Sequence, residues 1–202
     1  MKSNMSTIYR LCFIALVLIG NTCYAQPKSF HKMSETELRM LPPFCQVWYK
    51  GYRLSSAADV QKFKQWQARL GGIPDSQHLC PGLNALNYAY TKAKGPSKGY
   101  ALQSATNELS YVLKRNKSFP IRSTVLLKRG TAYEEWGKTN EAMADYHEAL
   151  KLKPNKTHAY IAIAKLQMKL KNNKEARKYI ETGLKIKPNS KVLLRLKKRL
   201  NK

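Results

Sequence analysis

Apolar residues recur at three- and four-residue intervals along most of this chain, the spacing of one buried helix face. Over Lys191 to Leu200, Val192, Leu193, Leu196 and Leu200 mark such a face while lysine and arginine fill the other side. Val60, Phe63, Trp66 and Leu70 predict another helix, opened by Ser56-Ala57-Ala58-Asp59 and stopped by Gly71-Gly72. A third, running from Pro81 or just before it through Ala93, carries Leu83, Leu86, Asn87 and Tyr90 and is broken by Gly95-Pro96. From Lys98 to Arg115 the residues Ala105, Leu109 and Val112 continue the register, and the chain then reaches Pro120. Upstream, Ser34-Glu35-Thr36-Glu37 has the form of a capping box that opens a short helix, which Pro42-Pro43 stops. The expected fold class is all-α.

Between residues 123 and 190 the pattern repeats itself. Lys151-Leu152-Lys153-Pro154-Asn155 returns 34 residues later as Lys185-Ile186-Lys187-Pro188-Asn189. The same shift sets Gly130 on Ala164, Glu141-Ala142 on Glu175-Ala176, Tyr146 on Ile180, Ala149 on Gly183 and Leu150 on Leu184. A period of this length marks a supersecondary unit that cannot bury its apolar face alone and stacks on copies of itself. Small residues are needed where two helices approach closely, here Gly130 and Ala142, and larger ones such as Tyr133 and Tyr146 wedge between hairpins. Proline follows the second helix, where it cannot continue the coil. Gly137 and Asn172-Asn173 are the expected turns inside the hairpins.

This order of residues resembles the tetratricopeptide repeat, in which a small residue and Tyr in a first helix precede Ala, an aromatic and Ala in a second, and then Pro. Residues 123–156 supply Gly130, Tyr133, Ala142, Tyr146, Ala149 and Pro154 in that order. Residues 157–190 keep Ala164, Ala176 and Pro188 but have Gln167, Ile180 and Gly183 where Tyr, an aromatic and Ala are usual. The resemblance implies a right-handed helical-hairpin solenoid. Its two clear units are 123–156 and 157–190, with a degenerate unit at 78–120, a non-repeat cap at 26–77 and a capping helix at 191–202.

The start of the chain reads as a secretory signal. Arg10 precedes the apolar run Leu11 to Gly20, and Cys23-Tyr24-Ala25 offers small residues for cleavage after Ala25. The run is too short to remain as a membrane span, and Asn21-Thr22 is not the approach that lipid attachment at Cys23 needs. No other stretch is apolar enough to be transmembrane, so a periplasmic or secreted protein from Gln26 onward is expected. Cys12 and Cys23 leave with the signal, and the mature chain keeps Cys45 and Cys80. An oxidising compartment favours pairing them, and closing that loop contributes about 3–4 kcal/mol in the chain-entropy picture. No Cys-x-x-Cys pattern offers redox, zinc or haem chemistry. Cys80 beside His78 is a poor nucleophile pair, because residues two apart on a helix point away from each other.

Charge is the other informative property. The whole chain has 37 basic and 12 acidic residues, and removing Lys2 and Arg10 leaves about +23 on the mature chain. Residues 155–202 hold 15 Lys or Arg and only Glu175 and Glu181, whereas 132–148 holds Glu134, Glu135, Glu141, Asp145 and Glu148. Such a field draws acidic proteins, envelope polysaccharide, anionic lipid surfaces or nucleic acid, and export moves nucleic acid to the end of that series. In the tetratricopeptide family the first helix of each hairpin lines a concave groove. Here that implies His158, Lys165 and Lys169 on one helix and Arg195 and Arg199 on the next, a basic groove for an acidic segment or anionic polymer. These cations either bind a partner or simply solvate exposed helix faces. The family's clamp for a C-terminal carboxylate needs Lys and Asn one turn apart, where this chain has Leu127 and Thr131, so that specificity does not carry over.

The aromatics Trp48, Tyr49, Tyr52, Trp66, Tyr88 and Tyr90 form either a sugar-stacking platform or, more in keeping with helical spacing, core. His31, His78, His147 and His158 show no ligand spacing, and no metal and no cofactor is expected. Sparse carboxylates and the lack of a phosphate loop leave no catalytic motif. Three functions follow in order: a non-enzymatic exported adaptor for protein–protein interaction in envelope assembly or export, a binder of anionic polysaccharide or membrane through the basic C-terminal half, and an enzyme whose site lies within 26–77.

Overall fold

The computed structural model describes residues 34–52, 57–69 and 75–201. The expected leader and cleavage position, Ser56, Leu70 and the Gly71-Gly72 stop lie outside the described residues. Along the described chain run α1 (Glu35–Arg39), α2 (Pro43–Tyr52), α3 (Ala57–Arg69), α4 (Ser76–Thr91), α5 (Pro96–Arg115), α6 (Arg122–Glu135), α7 (Thr139–Leu152), α8 (Thr157–Lys169), α9 (Asn173–Ile186) and α10 (Lys191–Leu200). There is no strand among the described residues. Helices pair in sequence as hairpins α4/α5, α6/α7 and α8/α9, with α10 closing against α8 and α9. The first helices α4, α6, α8 and α10 are successive neighbours, so the fold is a right-handed helical-hairpin solenoid.

The 34-residue register is the register of burial. Ala142, Tyr146 and Ala149 of α7, Ala164 of α8, and Ala176 and Ile180 of α9 are all buried, while Tyr133 is half-buried against the same core. A Cβ on Gly130 would sit 2.6 Å from Tyr146 Cε1 and 3.2 Å from the Ala142 carbonyl, so glycine is what lets α6 touch α7. At Gly183 the crowding comes from Leu193 Cδ1 at 2.8 Å and Tyr160 Cβ at 3.1 Å, because α10 presses where the first repeat has room for Ala149. Tyr146 donates its hydroxyl to Glu134 at 2.7 Å, and the Ser123 hydroxyl donates to the Ala149 carbonyl at 3.0 Å. Pro154 and Pro188 lie exposed just beyond α7 and α9.

Both hairpin turns close alike. Lys138 N–H reaches the Tyr133 carbonyl at 2.8 Å, and Asn172 N–H reaches the Gln167 carbonyl at 2.9 Å. The left-handed residue is Gly137 (φ 79°) in one and Lys171 (φ 62°) in the other, so the second turn pivots on Lys171, one residue before the expected Asn172-Asn173. Asn172 instead donates its side chain to Gln167, the residue standing at Tyr133's repeat position, at 3.0 Å.

The N-terminal part departs further from expectation. Ser34 and Glu37 form the capping box, and α1 ends before the prolines. Pro43, however, opens α2, a helix absent from the sequence reading, because proline's fixed φ and missing N–H suit a first turn as well as a stop. α4 begins at Ser76 and carries Pro81 in its interior, and Gly95 (φ 52°) and Pro96 begin α5 rather than merely ending α4. Val60, Tyr90 and Val192, placed on apolar faces by periodicity, are exposed, at 44%, 49% and 37%. Cys45 of α2 and Cys80 of α4 are joined in a disulfide with a Cα–Cα distance of 5.5 Å, both fully buried among Leu38, Leu41, Phe44, Leu79 and Leu83. Tyr49 is buried, and Trp48 and Trp66 pack onto the same cluster, so these three aromatics serve as core.

Candidate functional site

The last turns of α8 and the end of α10 face each other across a cleft of about 570 Å³. Its floor is apolar, from Met168, Leu196 and Leu200, and its rim is polar, from Lys165, Lys169, Asn173 and Arg199. Lys165 and Lys169 are four residues apart and share a face, and Arg199, one turn beyond Leu196 on α10, lines the same cleft as that leucine. All three cations are exposed, and among the described residues no carboxylate lies within ion-pair range of them. The cleft can therefore hold an anionic group above an apolar side chain. Of the residues expected in a basic groove, Lys165, Lys169 and Arg199 come together, whereas His158 and Arg195 are exposed but do not line the cleft.

The first-repeat segment of the same helix row is closed chemically. Leu127 is nearly buried, and Thr131 donates its hydroxyl to the Leu127 carbonyl at 2.7 Å, leaving no donor pair for a carboxylate. Several carboxylates elsewhere are engaged internally. Lys92 and Glu37 meet at 2.8 Å, Lys98 and Glu135 at 2.8 Å, and His78 Nδ1 and Glu108 at 2.7 Å. With His78 bound to Glu108 and Cys80 in a disulfide, the pair considered for nucleophilic chemistry does not exist. Among the described residues no group of three His, Cys, Asp or Glu side chains could hold a metal ion.

One polar feature escaped the sequence. Arg129 Nε and Nη2 donate to the two carboxylate oxygens of Asp145 at 2.8 and 2.6 Å, and Nη1 donates to Ser110 Oγ at 3.0 Å, tying α5, α6 and α7 together. Burial pushes the Asp145 carboxyl up, and the guanidinium fork opposes that shift. The missed signal is a paired departure from the repeat: 34 residues on, Arg129 and Asp145 become Ile163 and Tyr179, which pack in the core.

Comparison with known proteins places this geometry. The family model for the tetratricopeptide repeat matches residues 135–200. The second such domain of human RPAP3, solved in complex with an HSP70 peptide, superposes with a TM-score of 0.50 at 17% identity, covering 62% of this chain and 97% of that one. The corresponding domain of Arabidopsis OM64 gives 0.48 at 20% identity, over 61% and 97%. No curated protein matches the sequence. Residues 135–200 thus match the tetratricopeptide repeat, and the hairpin stack that contains them has the fold of such domains.

Proposed function

We propose that this protein is a non-catalytic adaptor that holds an acidic segment of a partner protein in the cleft between α8 and α10. The observation that carries the proposal is three unneutralised cations, Lys165, Lys169 and Arg199, set around an apolar floor of Met168, Leu196 and Leu200. An acidic peptide with an apolar side chain between its carboxylates satisfies both parts at once, and water-excluded charge-assisted bonds are the stronger ones. The human domain of this fold holds the peptide SGPTIEEVD, itself acidic, which supports the same kind of ligand. The signal-like start and the cysteine pair support a periplasmic or secreted setting, in envelope assembly or export.

A second function, binding of anionic polymer across the C-terminal half, is favoured by the charge of residues 155–202. Salt separates the two, since polymer binding through many lysines collapses steeply as salt rises while a shaped peptide site loses only part of its affinity. The test is capture from an envelope extract on wild-type protein and on Lys165→Glu with Arg199→Glu, eluted in salt steps. A discrete protein retained to high salt by wild type and lost by the variant supports the adaptor. Polymer alone, released at low salt, supports the second function, and capture unaffected by the variant removes the cleft from consideration.

A further inference from the structure

The 34-residue register extends one unit further back than the paired Lys-x-Lys-Pro segments. Lys117, Lys151 and Lys185 each stand three residues before a proline, at Pro120, Pro154 and Pro188. Each segment lies at or just beyond the end of the second helix of a hairpin, α5, α7 or α9, so the topology brings all three to one edge of the solenoid. Contacts between consecutive turns bear this out. Lys153 Nζ donates to the Pro120 carbonyl at 3.0 Å, and Lys156 Nζ to Thr124 Oγ1 at 2.6 Å. No Asp or Glu occurs in 114–124, 151–159 or 185–192. The crowding of positive charge is felt at Lys156, where burial and then the Lys153 charge pull the ammonium below its ordinary value.

This edge is not merely basic. Leu152 and Ile186, equivalent positions between lysines, are exposed at 43% and 38%. At the first turn the edge opens into a second cleft, of about 580 Å³, lined among others by Lys114, Lys117, Arg122 and Ser110. Favourable interaction of lysine with the helix C-terminus accounts for Lys151 and Lys185 on α7 and α9. It does not account for Lys117, which lies beyond the end of α5, nor for the two exposed aliphatic side chains.

We propose that this edge docks on an anionic phospholipid surface, with Lys117, Lys151, Lys185 and Lys187 on the headgroup phosphates and Leu152 and Ile186 entering the interface. A row of cations set at the repeat spacing meets a field of phosphates without needing any one of them in register, and an apolar side chain between lysines gains nothing from a soluble polyanion but does from lipid. No helix among the described residues is long and apolar enough to cross a membrane, so the contact is peripheral. The edge is separate from the α8/α10 cleft and does not depend on what that cleft holds.

Hydrogen exchange of the full chain tests this locally, with vesicles of phosphatidylcholine and phosphatidylglycerol at about 7:3 and with phosphatidylcholine alone. Exchange across 149–156 and 183–190 is expected to slow only with the anionic vesicles. Lys117→Gln with Lys151→Gln and Lys185→Gln is expected to weaken this about 100-fold in lipid concentration. Leu152→Ser with Ile186→Ser is expected to weaken it about tenfold. Lys165→Glu with Arg199→Glu leaves it in place. Unchanged exchange, equal slowing with zwitterionic vesicles, or equal slowing with soluble heparin that ignores the Leu152→Ser and Ile186→Ser changes would each overturn the proposal, the last by marking a polymer site.

Discussion

Replacing Asp145 by alanine is the sharpest test of how the first repeat is held together. Its carboxylate is 6% exposed and accepts two bonds from Arg129, whose side chain is 20% exposed. Removing it strands a guanidinium that keeps only Ser110 and the face of Tyr133, 5.6 Å away. Stranding a fully buried charge costs about 3–5 kcal/mol, and the residual exposure of Arg129 places this case near the lower end, at about 3. Urea unfolding followed by helical circular dichroism, with a slope of about 2 kcal/mol per molar, should then show a midpoint lowered by about 1.5 M. Removing both charges is a different perturbation. The second repeat shows that these two positions accept Ile163 and Tyr179, so Arg129→Met with Asp145→Leu should return to within about 1 kcal/mol of wild type. A loss below about 0.5 M for Asp145→Ala, or a double variant no better than the single one, would refute this account.

Gly130→Ala gains about 1 kcal/mol of helix propensity but drives a Cβ to 2.6 Å from a pinned Tyr146 ring, so a net loss of about 1–2 kcal/mol is expected, and Tyr146→Leu should remove most of that penalty in a double-mutant cycle. Alkylation under denaturing, non-reducing conditions should find Cys45 and Cys80 blocked, and Cys45→Ala with Cys80→Ala should lose about 3–4 kcal/mol in the same unfolding assay. The hydrogen bond from Lys92, with those from Ser34, holds the Glu37 carboxyl down at about 2. A depressed carboxylate stabilises the fold above its unfolded value near 4.5 and loses that contribution as pH falls toward 2. Lys92→Met should accordingly raise the acid-unfolding midpoint, read by circular dichroism between about pH 5 and 2, and an unmoved midpoint would dissociate Lys92 from the N-terminal anchor.

What was legible in the sequence was whatever one packing constraint writes twice. Gly130, Ala142, Tyr146 and Ala149 answer to the contact between α6 and α7, and Ala164, Ala176, Ile180 and Gly183 answer to its copy, so their spacing reveals both hairpins. The disulfide was legible for another reason, since two cysteines outside any ligand pattern have few other uses in an oxidising setting. Proline was ambiguous because a helix end and a first turn suit it equally, which is how α2 at Pro43 went unseen. Val60, Tyr90 and Val192 show that periodicity gives the direction of a face but not its width, which the neighbouring helix decides. In the candidate site, spacing placed Lys165 and Lys169 together but could not say that the cleft opens at the last turns of α8 and the end of α10, which leaves His158 and Arg195 off it. Arg129 and Asp145 interact across a hairpin, and no local pattern announces such a pair.

The bridge from α2 to α4 also gives the array a direction. A stack held by neighbour contacts comes apart from its ends, because an end unit has one interface to lose where an inner one has two. Cys45–Cys80 fastens one end covalently, while α10 is kept at the other by Leu193, Leu196 and the Arg177 guanidinium, which donates to Asn201 Oδ1 at 2.8 Å and to the Leu200 carbonyl at 3.5 Å. Hydrogen exchange should therefore be fastest in α10 and fall off toward α6. The same polarity makes the α8/α10 cleft the first part of the molecule to open and the part whose opening a bound partner would most strongly delay.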